Sequence, residues 1–380
     1  MSGRKRIMII AGEASGDFHG ANVVREIRKK DAGIEVFGIG GKSMSSQGAR
    51  IYMDSSRLAV VGITEVFSKI PNLVKGINTA KRMLRKLEPN LLILIDFPDF
   101  NLHVASVAKK LGIPILYYIS PQVWAWRSGR IKRIRKLVDH MAVILPFERN
   151  FYRKHGVSVS FVGHPLMDVA APLRPSGKKE KSETGLSSPV IGLLPGSRDR
   201  EILSHLPDML RAAKSLKRQF PEAKFCVSLA SSLEPELVKK IIEQNRDNLD
   251  VETIPGGAHR TFRQSDLVIA ASGTVTLEAA ISGVPMVIVY KVSPLSFRLA
   301  KSLVKVDFVS LVNLIAGKEI VPELLQDNAT PKKIVETAAR LLNDPEGMSR
   351  LQADLMRLRQ LLGGPGASKR VADIALRMLG

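Results

Sequence analysis

Four short stretches combine residue types and spacings that could do chemistry, and each follows an apolar run. The first is Gly12-Glu13-Ala14-Ser15-Gly16-Asp17-Phe18-His19-Gly20. Its glycines permit a tight turn and close backbone approach at a helix start, where anions bind. The spacing is not GxGxxG, and close helix–sheet packing accounts for any single glycine equally well. Glu13 and Asp17 tilt the loop toward function. The second stretch is IDFPDFN, with Asp96 and Asp99 spaced D-x-x-D. Such carboxylates can accept a proton from an attacking hydroxyl. They can also close an Asx turn or cap a helix. The third, Pro195-Gly196-Ser197-Arg198, puts backbone N–H groups, a hydroxyl and a guanidinium at a strand end. The planar fork of arginine suits a diphosphate. The fourth runs Ala271-Ser272-Gly273-Thr274-Val275-Thr276-Leu277-Glu278. Glu278, one turn into the helix, could accept hydrogen bonds from a ribose diol. An N-cap followed by a carboxylate near the positive end of the dipole explains this loop as well.

Other chemistries find no support. There is no CxxC, HExxH or GxSxG, and the seven histidines are scattered. Gly41-Lys42-Ser43 resembles the tail of a Walker A loop, but its first glycine would fall at Val36. D-x-x-D is not the D-x-D of metal-dependent sugar transferases. Neither a metal nor a cofactor is expected. Cys226 is the only cysteine, so no disulfide forms within the chain, and its strand-like context predicts a small buried hydrophobe.

The elements that must position these loops are legible. RIMIIAG, IEVFGIG, LLILIDF, PILYYIS and MAVILPF are buried-strand candidates, as are VIGLLPG, KFCVSLA, LVIAAS and VPMVIVY. Amphipathic stretches separate them. Continuous apolar strands alternating with helices predict parallel sheets covered on both faces. The pattern occurs twice, on either side of a Pro-, Gly-, Ser- and Lys-rich stretch at 172–189 that has linker composition. The reading is α/β: a Rossmann-like domain over 1–171, a second over 190–345, and a helical tail over 346–380. The tail should return to the first domain or pack on a partner subunit in a homodimer. In such sheets ligands sit outside the carboxyl ends of strands, where the four loops fall.

Charge bounds the partners. Fifty-seven Lys+Arg against 36 Asp+Glu leave a net charge of +21, which attracts nucleic acid, anionic lipid or phosphorylated substrates. Aromatics are only 5%, thin for stacking bases. The basic run at 127–136 has only Trp124 and Trp126 before it, so a phosphate or acidic-lipid contact, or a solvated helix face, fits better. No apolar run approaches the ~20 residues of a membrane span. The stretch from Leu58 to Leu87 is amphipathic: Val66, Phe67, Ile70, Leu73, Val74 and Ile77 interleave with Lys69, Lys75, Lys81 and Arg82. That pattern suits a membrane interface, and equally a core-facing helix with a basic outer face. The expectation is a cytoplasmic protein associated peripherally with the inner membrane.

Several motifs together carry a resemblance. GEASGD at 12–17, GIGG at 38–41, VVGITEV at 60–66, DFPDFN at 96–101, SPQVWAWR at 120–127, FVGHPLMD at 161–168, LLPGSR at 193–198 and SGTVTLEAA at 272–280 occur in this order. The chain resembles the lipid-A-disaccharide synthases over most of its length. The resemblance implies a GT-B glycosyltransferase with two Rossmann-like domains facing a cleft. It implies inverting, metal-independent transfer from UDP-2,3-diacylglucosamine to 2,3-diacylglucosamine 1-phosphate. The product would be the β-1,6-linked lipid A disaccharide 1-phosphate, with UDP released. Asp99 is similar to the family's proposed general base, with Asp96 second and Glu13 beside them. Gly12, Ser15, Gly16 and Asp17 would lie on the acceptor side. Ser197, Arg198, Thr274, Glu278, Asn313, Glu323 and Gln326 would serve the UDP donor. The acyl chains would explain the apolar patch.

Two other readings stand beside this one. Another GT-B enzyme, such as a UDP-N-acetylglucosamine 2-epimerase or a peptidoglycan glycosyltransferase, would share the phosphate loops but not GEASGD and the Trp-Ala-Trp segment. A basic nucleic-acid-binding protein would rest on charge alone; the favoured reading has no nucleic-acid partner.

Overall fold

The computed structural model describes residues 4–58, 66–125, 129–169, 181–182, 185–186, 188–230, 233–245, 247–292, 297 and 306–380. The VVGITEV motif (but for the backbone of Val66), Trp126 and Arg127 lie outside them, as do most of 172–189 and the side chains of Val66, Phe67 and Ile70. The chain divides into two compact units, residues 1–168 with 362–380, and residues 169–361.

Unit 1 alternates strand and helix: β1 (Arg6–Ala11), α1 (Ala14–Lys30), β2 (Glu35–Gly40), α2 (Lys42–Ser46), β3 (Arg50–Asp54), α3 (Val66–Leu87), β4 (Leu91–Ile95) and α4 (Pro98–Lys110). It continues with β5 (Ile115–Tyr118), α5 (Arg130–Leu137), β6 (His140–Val143), α6 (Pro146–Lys154), β7 (Val159–Phe161) and α7 (Leu166–Val169). The strands form one parallel sheet in the order β3-β2-β1-β4-β5-β6-β7. Ile7 to Ala11 and Leu91 to Ile95 are completely buried, which is what helices on both faces of a parallel sheet require.

Unit 2 repeats the plan. After a two-residue ribbon (β8, Lys181–Ser182; β9, Gly185–Leu186) come β10 (Val190–Leu194), α8 (Asp199–Gln219), β11 (Lys224–Leu229), α9 (Pro235–Asn245), β12 (Val251–Pro255) and α10 (Ala258–Gln264). Then follow β13 (Leu267–Ala271), α11 (Thr274–Ile281), β14 (Met286–Tyr290), α12 (Leu311–Ala316), β15 (Glu323–Leu325), α13 (Pro331–Leu342) and α14 (Pro345–Leu361). The sheet order is β12-β11-β10-β13-β14-β15, again parallel. Cys226 is buried in β11, as its strand-like context predicts.

The last helix, α15 (Ala367–Met378), belongs to unit 1. Its Val371, Ala372 and Ala375 join Ile7, Ile9 and Val24 in one apolar cluster. Lys30 pairs with Asp373, and the Asp168 carboxylate accepts from the N–H groups of Gly366 and Ala367 at the helix start. Of the tail expected over 346–380, residues 362–380 thus pack on the first unit of their own chain, whereas 346–361, in α14, belong to unit 2.

Candidate active site

Each sheet has one switch point, where successive strands depart in opposite directions: between β1 and β4 in unit 1, and between β10 and β13 in unit 2. A crevice at the carboxyl ends of such a pair is where open α/β sheets bind ligands. All four loops singled out from sequence fall there. Glu13 follows β1, Asp96 and Asp99 follow β4, Ser197 and Arg198 follow β10, and Thr274 follows β13.

In unit 1 the turn after β4 is strained. Asp96 and Phe97 both have positive φ, 46° and 47°. Side chains rarely adopt this region, and they hold it only where neighbours over-determine it. Here the carbonyl of Asp96 accepts from Asn101 Nδ2 and Tyr117 Oη, each at 2.6 Å. The Phe97 ring lies over Gly12, where a Cβ would come within 2.2 Å of it. Gly12 is therefore needed for close approach. The turn lifts the two aspartates into different surroundings. Burial, and then the charge of Glu13, push the Asp96 carboxyl up to about 6. Asp99 stands in the first turn of α4 with its side chain 75% exposed, paired with Arg130 at the start of α5.

Asp17, expected on the acceptor side, lies in the first turn of α1, just after β1. It is buried, and its carboxylate accepts from the N–H groups of Gly41 (2.6 Å), Ser43 (2.9 Å) and Met44 (3.1 Å). It staples α1 to the start of α2. Glu13 and Ser15 remain exposed, whereas Gly12 and Gly16 are buried.

In unit 2, Gly196 has a φ of 128°, and Ser197 and Arg198 are exposed at the start of α8. Arg198 is 76% exposed, 3.6 Å from Glu201, whose other oxygen accepts from the N–H of Ser197 at 2.8 Å. Thr274 opens α11 and is exposed; burial pushes the Glu278 carboxyl up. The two helix starts offer backbone N–H groups, and with Arg198 they suit an anion.

Asn313, Glu323 and Gln326 are occupied within unit 2. Asn313 is buried; it donates to Val321 O (2.9 Å) and Glu323 (2.8 Å) and accepts from the N–H groups of Ile320 and Val321. Glu323 also accepts from the N–H groups of Val309 and Ser310. Gln326 both accepts from and donates to the backbone of Val292. These three side chains shape loops at the β14–β15 end of the sheet.

Sequence reasoning missed two buried anchors. Glu148 accepts from Ser120 Oγ (2.5 Å), Trp124 Nε1 (3.0 Å) and the N–H of Leu145 (3.0 Å), which fixes the loop after β5. Burial pushes its carboxyl up to about 7 against those hydrogen bonds. His205 on α8 donates from Nδ1 to Pro195 O (3.2 Å) and accepts at Nε2 from the N–H of Lys291 (3.1 Å). It ties the Pro195–Arg198 loop to the end of β14, while Lys291 Nζ meets Asp208 at 2.5 Å. The only signal for this tie was the i, i+3 spacing of His205 and Asp208. Among the described residues no cluster of His, Cys, Asp and Glu could hold a metal ion.

Two parallel sheets, each with functional loops at its switch point, define the GT-B class. Solved structures of that architecture agree. A UDP-GlcNAc 2-epimerase from Neisseria meningitidis bound to UDP-GlcNAc superposes with a TM-score of 0.62 at 15% identity, over 98% of this chain and 100% of that one. Acinetobacter baumannii MurG gives 0.62 at 16% identity, over 98% and 99%. Such likeness establishes the fold alone. The family is fixed by sequence: the model for Lipid-A-disaccharide synthetase matches residues 7–377. The lipid-A-disaccharide synthase of Geobacter metallireducens is 47% identical, over 99% of this chain and 98% of its own length. That of Coxiella burnetii strain CbuK_Q154 is 38% identical, over 99% of each. The chain belongs to the lipid-A-disaccharide synthase family, and it is a glycosyltransferase of lipid A disaccharide synthesis. The epimerase and nucleic-acid readings are not favoured.

Proposed function

We propose that the chain joins UDP-2,3-diacylglucosamine to 2,3-diacylglucosamine 1-phosphate, releasing UDP and the β-1,6-linked disaccharide 1-phosphate. Unit 2 takes the donor and unit 1 the acceptor. The acceptor 6-hydroxyl oxygen attacks the anomeric carbon as the bond to the UDP oxygen breaks, so the centre inverts in one displacement. Asp99 takes the hydroxyl proton. Its exposure leaves it able to reach a substrate, and Arg130 orients it. Asp96, with Glu13 beside it, is the second candidate for that proton. Glu13 and Ser15, with Gly12 and Gly16 shaping their loop, belong to the acceptor side. Ser197, Arg198 and the starts of α8 and α11 hold the diphosphate and neutralise the leaving charge. Thr274 and Glu278 serve the ribose and phosphates.

The observation that carries this reading is the exposed acid, Asp99 and Glu13, at the switch point of unit 1, together with the exposed Arg198 at the helix starts of unit 2. The acyl chains call for a membrane surface, and we place the protein peripherally on the cytoplasmic face of the inner membrane. No helix among the described residues is long and apolar enough to cross one. Incubating purified protein with both monosaccharide lipids and resolving the products by thin-layer chromatography tests the assignment. UDP-dependent appearance of the disaccharide is expected; release of UDP without a joined product would overturn it.

A further inference from the structure

Away from the switch point of unit 1, α3 and the edge strand β3 line an open cavity of about 630 Å³. It lies beside the strand three places from β4 in the sheet order, roughly 14 Å at the usual strand spacing. Its helical wall is set by periodicity. Lys75, Thr79, Arg82 and Lys86 recur at i, i+4, i+7 and i+11, so they form one face of α3. The opposite face, with Gly76, Ala80 and Leu84, is buried in the unit 1 core. The basic face is therefore not needed to hold the helix in place.

The lining is amphipathic. Met53 and Met83 are buried at its floor, with Ile51 and Leu87 partly buried beside them. Lys75, Arg82 and Lys86 are exposed at its rim, and none forms an ion pair with a described residue. One carboxylate, Asp54, joins them, and it accepts from the N–H of Ser56 at 2.8 Å. Three cations against one anion around an apolar floor suit a ligand with a phosphate and an apolar body. A cavity of this size is in the range that holds small ligands. Val74, next to Lys75 on the same helix, is 51% exposed, so an apolar side chain stands at the rim.

We propose that this cavity binds the phosphate-bearing head group of an anionic membrane phospholipid, apart from the reaction centre. The inference deepens the membrane reading above and rests on it. Each lysine or arginine near an anionic surface adds to the attraction, and a cavity converts that diffuse attraction into a site with a defined stoichiometry.

The test titrates dihexanoyl phosphatidylglycerol, below its micelle concentration, into the full chain by calorimetry. Saturable one-to-one binding is expected. Arg82→Ala with Lys86→Ala should weaken it at least about tenfold. Thr79→Trp, which keeps every charge and fills the cavity, should do the same. Lys239→Ala with Lys240→Ala removes equal charge from α9 and should leave binding within about twofold. A melting curve on each variant identifies any that fails to fold. The charge pair and the filled cavity are independent, so loss of one leaves the other decisive. Equal weakening by the α9 pair would overturn the site in favour of diffuse charge. Equal affinity for inorganic phosphate would make it a phosphate site with no lipid specificity, and would also overturn the proposal. Sedimentation with vesicles of phosphatidylcholine, with and without phosphatidylglycerol, separates the two readings. Vesicle binding without short-chain lipid binding removes only the cavity; no vesicle binding at all removes the membrane reading with it.

Discussion

Three residues carry sharp expectations. A neutral hydroxyl is a poor nucleophile, so removing the base that takes its proton costs on the order of 10²–10⁴ in turnover. Asp99→Asn retains the turn and first-turn geometry of α4 and weakens the ion pair with Arg130, whose Asp99 side is 75% exposed, at a cost of about 0–1 kcal/mol. Single-turnover rates should fall by that factor with the melting temperature nearly unchanged; activity within a few-fold of wild type would move the base to Asp96. Asp96 has its own signature in pH. Its carboxyl is raised in the folded state from 3.8 to about 6, so the stability associated with it is full below about pH 3.8. That stability is lost as pH climbs through about 6. Asp96→Asn should therefore melt higher than wild type at pH 8, by on the order of 1–3 kcal/mol, and converge with it near pH 4. Arg198→Ala should weaken UDP by about 1.5–3 kcal/mol in a calorimetric titration, the worth of hydrogen bonds to a charged group. Sequence made Arg198 a candidate because a guanidinium just past a buried strand suits an anion. It did not show what holds Asp17: composition does not reveal which backbone N–H groups a carboxylate will meet, and Asp17 meets three. The hydrogen bonds of Asn313, Glu323 and Gln326 within unit 2 were hidden in the same way.

At the scale of elements, alternation of apolar runs with amphipathic stretches made both sheets legible, because a parallel strand buried on two faces has no polar positions to hide. The anchors were not legible. Glu148 sits in LPFER, which reads as an ordinary helix start; that its carboxyl reaches back to Ser120 and Trp124 depends on a contact distant in sequence. Helix α3 shows where periodicity stops short. Leu73, Val74 and Ile77 read alike as apolar residues of one patch, yet Leu73 and Ile77 pack against the unit 1 core while Val74 is 51% exposed. The two kinds separate under mutation. Val74→Ser should reduce liposome association and leave the melting curve in place. Leu73→Ser should cost roughly 1–3 kcal/mol of stability, the usual range for a polar group placed in a packed site. Equal behaviour of the two in both assays would mean that α3 does not divide its faces this way.

The whole molecule is two similar α/β units, and its net charge of +21 belongs to the chain as a whole. Unit 1 is not contiguous: residues 362–380 complete it after the whole of unit 2 has intervened. Removing everything after Leu361 should expose Ile7, Ile9 and Val24, which α15 helps to cover. The truncated chain should show an early, separate melting transition for unit 1, while unit 2 melts near its normal temperature. A single unshifted transition would show that α15 contributes little to the core.

That interleaving also sets an order of events at the ribosome. The bulk of unit 1 precedes unit 2 in the chain, but one face of its sheet, covered in part by α1, lacks α15 until residues 362–380 are made. Unit 2 has every strand and helix it needs before that point, and domains fold as units during synthesis at about 5–20 residues per second. Unit 1 is thus begun before unit 2 and finished after it. Once residue 361 is made, and until residues 362–380 follow, the chain has a unit 2 with all its elements and an unfinished unit 1, and exposed apolar surface of that kind is what chaperones bind.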